Sequence, residues 1–199
     1  MILRDEIFNP FFIGRYVDKQ YFCDREKDTE TLVRHILNGR NVALISPRRL
    51  GKSGLIHHTF AQDSIKDRYT AIYVDIYATK DLCEMVKALS EAIVKAVGQK
   101  KSWHEKFFSF IKPLRVGFHI DAVSGEPSFD IGIGDIENPD KTIRELFDYM
   151  EASEKPCILA IDEFQQIREY PQTNTEAFIR SLVQQCSRTS FIFCGSKRH

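Results

Sequence analysis

The stretch Asn41-Val-Ala-Leu-Ile-Ser46-Pro-Arg-Arg-Leu-Gly-Lys-Ser53 leaves few folds open to this chain. Asn41 to Ser46 is a short apolar run that reads as a strand. Leu55, Ile56 and Phe60 mark a helix on the far side. Between them, Ser46 to Ser53 fits the phosphate-binding pattern G-x-x-x-x-G-K-[ST], with Ser46 in place of the first glycine. In that context the backbone N–H groups of Leu50 to Gly54 point inward at a helix N-terminus, where dipole and unsatisfied donors favour an anion. Gly51 allows close approach of the backbone and dihedrals closed to other residues. Lys52 is expected to reach the β- and γ-phosphates of a nucleotide, and the Ser53 hydroxyl to ligate Mg²⁺. Pro47, Arg48 and Arg49 complete the turn; the two arginines either reinforce the anion site or face a partner.

The rest of the chain has the rhythm of an α/β protein. Asp24 reads as the cap of a helix reaching Leu37, with Gly39 just past its end. A strand over Ala71–Tyr77 precedes an amphipathic helix from Asp81 to Val97, and a further helical stretch covers Trp103 to Ile111. A helix over Lys141–Ala152 leads to strand Cys157–Ile161. A helix over Glu176–Cys186 leads to strand Ser190–Cys194. Continuously apolar strands separated by helices imply a mostly parallel sheet covered on both faces, a three-layer sandwich. One segment departs from this. Leu114, Val116, Phe118 and Ile120 alternate with polar residues, as do Phe129, Ile131 and Ile133 beyond Ser124-Gly-Glu-Pro127, which predicts an inserted β-hairpin. The expected organisation is a single core over 1–199. It comprises an N-terminal segment and helix (1–39), a phosphate-loop half (40–112), the hairpin (113–135) and a second half (136–199).

The second chemical element is Ile158-Leu-Ala-Ile-Asp162-Glu163, an apolar strand that delivers two carboxylates to the sheet edge where ligands of open α/β folds bind. Asp162 is expected to hold the magnesium, and Glu163 to polarise a water for in-line attack on the γ-phosphate. Asp75, at the end of Ile72-Tyr-Val-Asp75, is a rival for the metal but lacks a following glutamate. Ser196, beyond the last strand, is placed to sense the γ-phosphate or the attacking water. Gln165 and Gln166 follow the acids closely enough to orient a water, although placement at the surface is the reading expected of them. His57 and His58 are given no role.

Lys+Arg and Asp+Glu both number 28, so bulk charge gives no sign of a nucleic-acid binder. The five cysteines show neither a CxxC pair nor zinc spacing, which suits reduced thiols in the cytoplasm. No apolar run approaches membrane-spanning length, so no membrane association is expected.

Together these residues resemble the archaeal-type ATPase family, P-loop ATPases near the AAA+ and STAND groups. The resemblance is carried by Asn9-Pro-Phe, Tyr21-Phe-Cys-Asp-Arg-Glu26, the Walker A string Ser46–Ser53, the Walker B string Ile161-Asp-Glu-Phe-Gln165 and Phe193-Cys-Gly-Ser-Lys-Arg198. It implies ATP as nucleotide, Lys52 and Ser53 at phosphate and metal, Asp162 and Glu163 at metal and water, and a sensor at Ser196. It also places Tyr21, Phe22 and Arg25 beside the adenine. Members of that family continue into a fifth strand, a helical lid and often a further domain. On this resemblance the chain is expected to be a truncated ATPase domain, with its P-loop strand at a sheet edge and no second sensor arginine.

Two functions from different classes follow. The first is Mg-dependent ATP hydrolysis acting as a molecular switch on a protein partner or DNA. The second is a nucleotide-loaded regulatory or DNA-associated module with negligible hydrolysis. A small-molecule kinase is disfavoured by the water-activating glutamate. Partner, oligomeric state and process are not legible in the sequence.

Overall fold

The computed structural model describes residues 22, 25–47, 50–97, 136 and 138–196 in full, and the backbone of 117–120 and 127–130. The order of elements is α1 (Glu26–Leu37), β1 (Val42–Ser46), α2 (Lys52–Phe60), α3 (Asp63–Lys66), β2 (Thr70–Asp75), α4 (Leu82–Val97), β3 (Gly117–Ile120) and β4 (Pro127–Asp130). Then come α5 (Pro139–Glu151), β5 (Cys157–Asp162), a 3₁₀ helix (Phe164–Glu169), α6 (Thr175–Gln185) and β6 (Ser190–Ser196).

Four strands form one parallel sheet in the order β1-β6-β5-β2. Strand β5 lies inside it and is buried along its whole length. Side chains alternate across a strand, so β5 must satisfy two cores at once. Cys157, Leu159 and Ile161 face one core with α4, α5 and α6 residues such as Leu89, Leu146 and Ile179. Ile158 and Ala160 face the other with Ile36, Leu55 and Ile65 from α1, α2 and α3. This is the three-layer α/β sandwich expected from the continuously apolar strands. The outer strand β1 pairs with β6 alone among the described strands.

Element ends follow local chemistry. Helix α4 starts under a cap, with Asp81 Oδ1 accepting the Glu84 N–H at 2.8 Å. Pro139 opens α5 at a position where a missing N–H costs nothing. Strand β2 stops at Asp75, two residues short of the sequence expectation, because Asp75 Oδ1 accepts the Tyr77 N–H at 2.8 Å and turns the chain. At the far end of the sheet, the Glu151 carboxylate accepts the backbone N–H groups of Ser187, Arg188 and Thr189. It thereby fixes where β6 begins.

Strands β3 and β4 pair antiparallel with Phe118 opposite Phe129, so the hairpin is present over these residues. The expected helix over Trp103–Ile111, the cap at Asp24 and the remaining hairpin residues lie outside the described residues. In the described part, Arg25 occupies the cap position of α1. Among the described residues, no helix is long and apolar enough to cross a membrane.

Candidate functional site

Parallel strands deliver their C-terminal tips to one edge of the sheet, and the register sets which tips are neighbours. Ser46 pairs with Ser196, and Asp75 with Asp162. Strand β6 separates the phosphate-loop strand from the acidic one, so it is the helix after the loop that bridges the gap.

That helix, α2, begins at Lys52. Gly51 occupies the preceding position with φ 69°, in the left-handed region that glycine alone enters without strain. The first N–H groups of the helix have no intrahelical acceptor, so the turn presents donors to whatever lies before it. Lys52 is only 7% exposed, and its Nζ donates to the Ser46 carbonyl at 3.4 Å, across the turn it closes. Arg25 braces the loop from outside: its Nη1 donates to the Leu50 carbonyl at 2.7 Å while its guanidinium pairs with Asp28 at 2.9 Å. Phe22 lies against the same helix. Its ring stacks on His58 with centroids 4.2 Å apart, and it would sit 3.5 Å from a Cβ on Gly54. Phe22 and Arg25 therefore both flank the phosphate loop. Tyr21, Arg48 and Arg49 lie outside the described residues.

Ser53 reaches the acidic tip. Its hydroxyl donates to Asp162 Oδ2 at 2.6 Å. The same oxygen accepts the Tyr73 hydroxyl at 2.7 Å, and Oδ1 accepts the Glu163 N–H at 2.9 Å. Asp162 is 3% exposed, so this carboxylate is buried, and it persists as an acceptor because three donors replace its water. Burial and the neighbouring Asp162 carboxylate push the Tyr73 hydroxyl well above the usual phenol range, which keeps it a donor. A hydroxyl and a carboxylate this close offer hard oxygen donors, the chemistry that suits a small divalent cation keeping most of its own water. Asp75, the rival, is exposed and spends Oδ1 on its own turn.

Glu163 is set up differently. It takes φ 54° and ψ 37°, and is one of two non-glycine residues with positive φ among those described. Such a conformation costs about 1–2 kcal/mol and marks a backbone forced by its surroundings. Its Oε2 accepts the Ser196 hydroxyl at 3.0 Å and a very short bond from Gln165 Nε2. Gln165 Nε2 also donates to Ser196 Oγ at 3.2 Å. The expectation that Gln165 and Gln166 lie at the surface is therefore corrected. Gln165 is half-buried and joins the acid to the strand tip, and Gln166 Nε2 donates to the Thr79 carbonyl at 3.2 Å. The 3₁₀ turn after Glu163 causes this by curling both amides back under the sheet edge. Gly195 is part of the arrangement, since a Cβ there would stand 3.0 Å from Gln165 Oε1.

The histidines serve in packing, His58 under Phe22, and His57 against Tyr73 with ring centroids 4.5 Å apart. Burial, partly opposed by the Asp162 charge, lowers the His57 pKa. Cys194 has its thiol raised to about 12 by burial and then by the Asp162 charge, which leaves it a small apolar filler and no nucleophile. A cavity of about 570 Å³ opens beside Gln165 and Ser196 between β6 and α6. Its walls include Ile45, Phe164, Ile179 and Phe193 and, among the described residues of the phosphate loop, neither Lys52 nor Ser53.

The parallel sheet in the order β1-β6-β5-β2, covered by helices on both faces and with a glycine-lysine-serine turn opening a helix at its edge, is a three-layer α/β fold that solved structures share. The Walker-type ATPase of Pyrococcus abyssi superposes with a TM-score of 0.57 at 21% identity, over 94% of this chain and 49% of its own. The Aeropyrum pernix ORC2 protein, solved as ADPNP–ADP complexes, gives 0.54 at 14% identity over 90% of this chain and 44% of its own. The Aeropyrum pernix ORC1 protein, solved in complex with DNA, gives 0.53 at 13% identity over 90% and 41%. The chain thus spans about half the length, or less, of the structures it matches. By sequence, no family model and no curated protein matches it.

Proposed function

We propose that this chain binds ATP with magnesium and hydrolyses it, the nucleotide state acting as a switch. The observation that carries the reading is the 2.6 Å hydrogen bond from Ser53 at the phosphate loop to Asp162 at the acidic tip. It joins, in one half-buried spot, the hydroxyl and the carboxylate that a magnesium–triphosphate complex requires.

In this reading the amides of Leu50 to Gly54 and the Lys52 ammonium bind the β- and γ-phosphates. Ser46 and Pro47 hold the start of the turn, and Arg48 and Arg49 add positive charge around it. Ser53 and Asp162 hold the magnesium, which when bound supplies charge neutralisation on the phosphate oxygens. Glu163 accepts the proton of the attacking water at a carboxylate oxygen as the bond from γ-phosphorus to the bridging oxygen breaks, leaving ADP and phosphate. Ser196, bonded to Glu163, couples the last strand to that event. Phe22 and Arg25, with Tyr21, border the nucleotide at the outer flank of the loop, on the adenine side. A cytoplasmic setting and a protein partner or DNA complete the proposal. The likeness to the ORC1 and ORC2 proteins, the first of them solved in complex with DNA, is what favours DNA as a candidate partner.

Glu163→Gln tests this directly, because it removes the base and keeps the shape. Bound ATP is expected to persist while turnover falls by about 10²–10⁴-fold, the usual worth of a general base. Turnover equal to that of the wild type rules out the assigned mechanism. If the wild-type chain binds ATP without turning it over, with or without DNA, the regulatory-module reading replaces the hydrolytic one.

A further inference from the structure

We propose that Tyr73 is a positioning residue for the metal-holding carboxylate, fixing Asp162 from a strand that carries none of the proposed phosphate or water residues. The inference rests on the magnesium–ATP reading above and adds a residue to it.

The placement follows from register. Tyr73 on β2 pairs with Ala160 on β5, and Ala160 and Asp162 share a face of β5 because they are two apart. That face belongs to the α1–α3 side of the sheet, where Ala160 is buried and Tyr73 packs at the margin. A larger residue at 160 would fill the space beside the tyrosine ring. With only a methyl group there, the ring can lie diagonally along the sheet, and its hydroxyl reaches Asp162 Oδ2 at 2.7 Å. The ring is held from above by His57 of α2, with centroids 4.5 Å apart. Tyr73 is therefore set by packing as well as by its hydrogen bond.

The carboxylate it holds is fastened at three points: Glu163 N–H on Oδ1, and Ser53 and Tyr73 hydroxyls on Oδ2. Ser53 turns to the metal when nucleotide binds, whereas the Glu163 backbone N–H and the Tyr73 hydroxyl stay on the carboxylate; of the side chains that hold Asp162, Tyr73 is the one with no other part in the proposed site. A carboxylate pre-set in this way loses less freedom when it takes up a hydrated cation, and partners that orient metal-holding groups typically contribute 10–100-fold, in round terms, to affinity or activity. Tyr73→Phe deletes one oxygen and retains the ring against His57.

ATP binding to the wild type and to Tyr73→Phe, each measured with magnesium chloride and with EDTA, decides the matter alongside thermal melting of both proteins. The expected result is unchanged affinity in EDTA, melting within a few degrees of wild type, and a magnesium-dependent gain in affinity reduced by on the order of 10–100-fold. An unaltered magnesium dependence overturns the assignment of Tyr73 while leaving the nucleotide reading intact. Equal loss in EDTA, or a large fall in melting temperature, makes Tyr73 a packing residue and also overturns it. A wild type that binds no ATP in either condition removes both readings together.

Discussion

Asp162 and Glu163 are adjacent in the chain and opposite in circumstance. Asp162 is the last residue of a buried strand, in regular backbone, with both oxygens occupied by donors from α2, from β2 and from the residue that follows it. Glu163 is the first residue outside the strand, in a left-handed conformation, with one oxygen held by Gln165 and Ser196. One carboxylate is fixed and the other is aimed. The difference teaches that a single dipeptide can serve two roles when the strand ends between its members. The end of hydrogen-bonded pairing gives Glu163 a separate direction, and the positive φ supplies the turn.

Perturbing each side separately breaks or sharpens that contrast. On the fixed side, Lys52→Ala, which removes an ammonium beside the loop, is predicted to weaken ATP binding by roughly 100-fold or more, in line with the loss of a charge-assisted contact to phosphate. Calorimetric titration of ATP into the variant measures it, and near-normal affinity contradicts the placement. On the aimed side, Gly195→Ala puts a methyl 3.0 Å from Gln165 Oε1, so that amide must give by a few tenths of an ångström, which disturbs its hydrogen bond to Glu163. Turnover is expected to fall on the order of 10–100-fold through misplacement alone, with ATP affinity retained. Steady-state kinetics separate the two, and a change in affinity without a change in turnover places Gly195 on the wrong side of the comparison.

Smaller effects belong to the frame. Gly51→Ala forces a Cβ into φ 69° and is expected to lower stability by about 1–2 kcal/mol, readable by urea denaturation. Glu151, remote from the site, supplies a pH control. Burial would raise its pKa, but hydrogen bonds from Thr189, Ser187 and Arg188 outweigh it, and the folded value lies below the ordinary 4.5. Its contribution to stability is therefore present above that value and lost as pH falls through the lowered folded one. Stability of Glu151→Gln against wild type across acid pH is expected to converge there, with no change in ATP affinity at neutral pH.

Contiguous strings made the frame of the site legible. The glycine-lysine-serine turn, the apolar strand ending in two acids and the alternation of strands and helices all sit within short windows of sequence. They led to the parallel sheet and to its shared C-terminal edge. What the sequence hid depends on contacts between distant windows. Nothing near Tyr73 says that it faces Ala160, because that follows from the register of β2 on β5. Gln165 looked like a surface residue because its inward turn is made by a 3₁₀ helix, whose three-residue period leaves little mark in six residues. His58 and Phe22 are far apart in the sequence, and their ring contact leaves no mark in either local window. Asp75 ended its strand early through a local side-chain turn that competes with strand pairing.

The central claim is that the hydroxyl of the loop serine and the carboxylate it touches, drawn together from positions 53 and 162, form one magnesium–nucleotide site. Titrating ATP into wild type and Asp162→Asn, with and without magnesium, tests it most directly. The account predicts that magnesium tightens binding to the wild type and adds little in the variant, while the metal-free affinities agree. Identical magnesium responses in the two proteins contradict it.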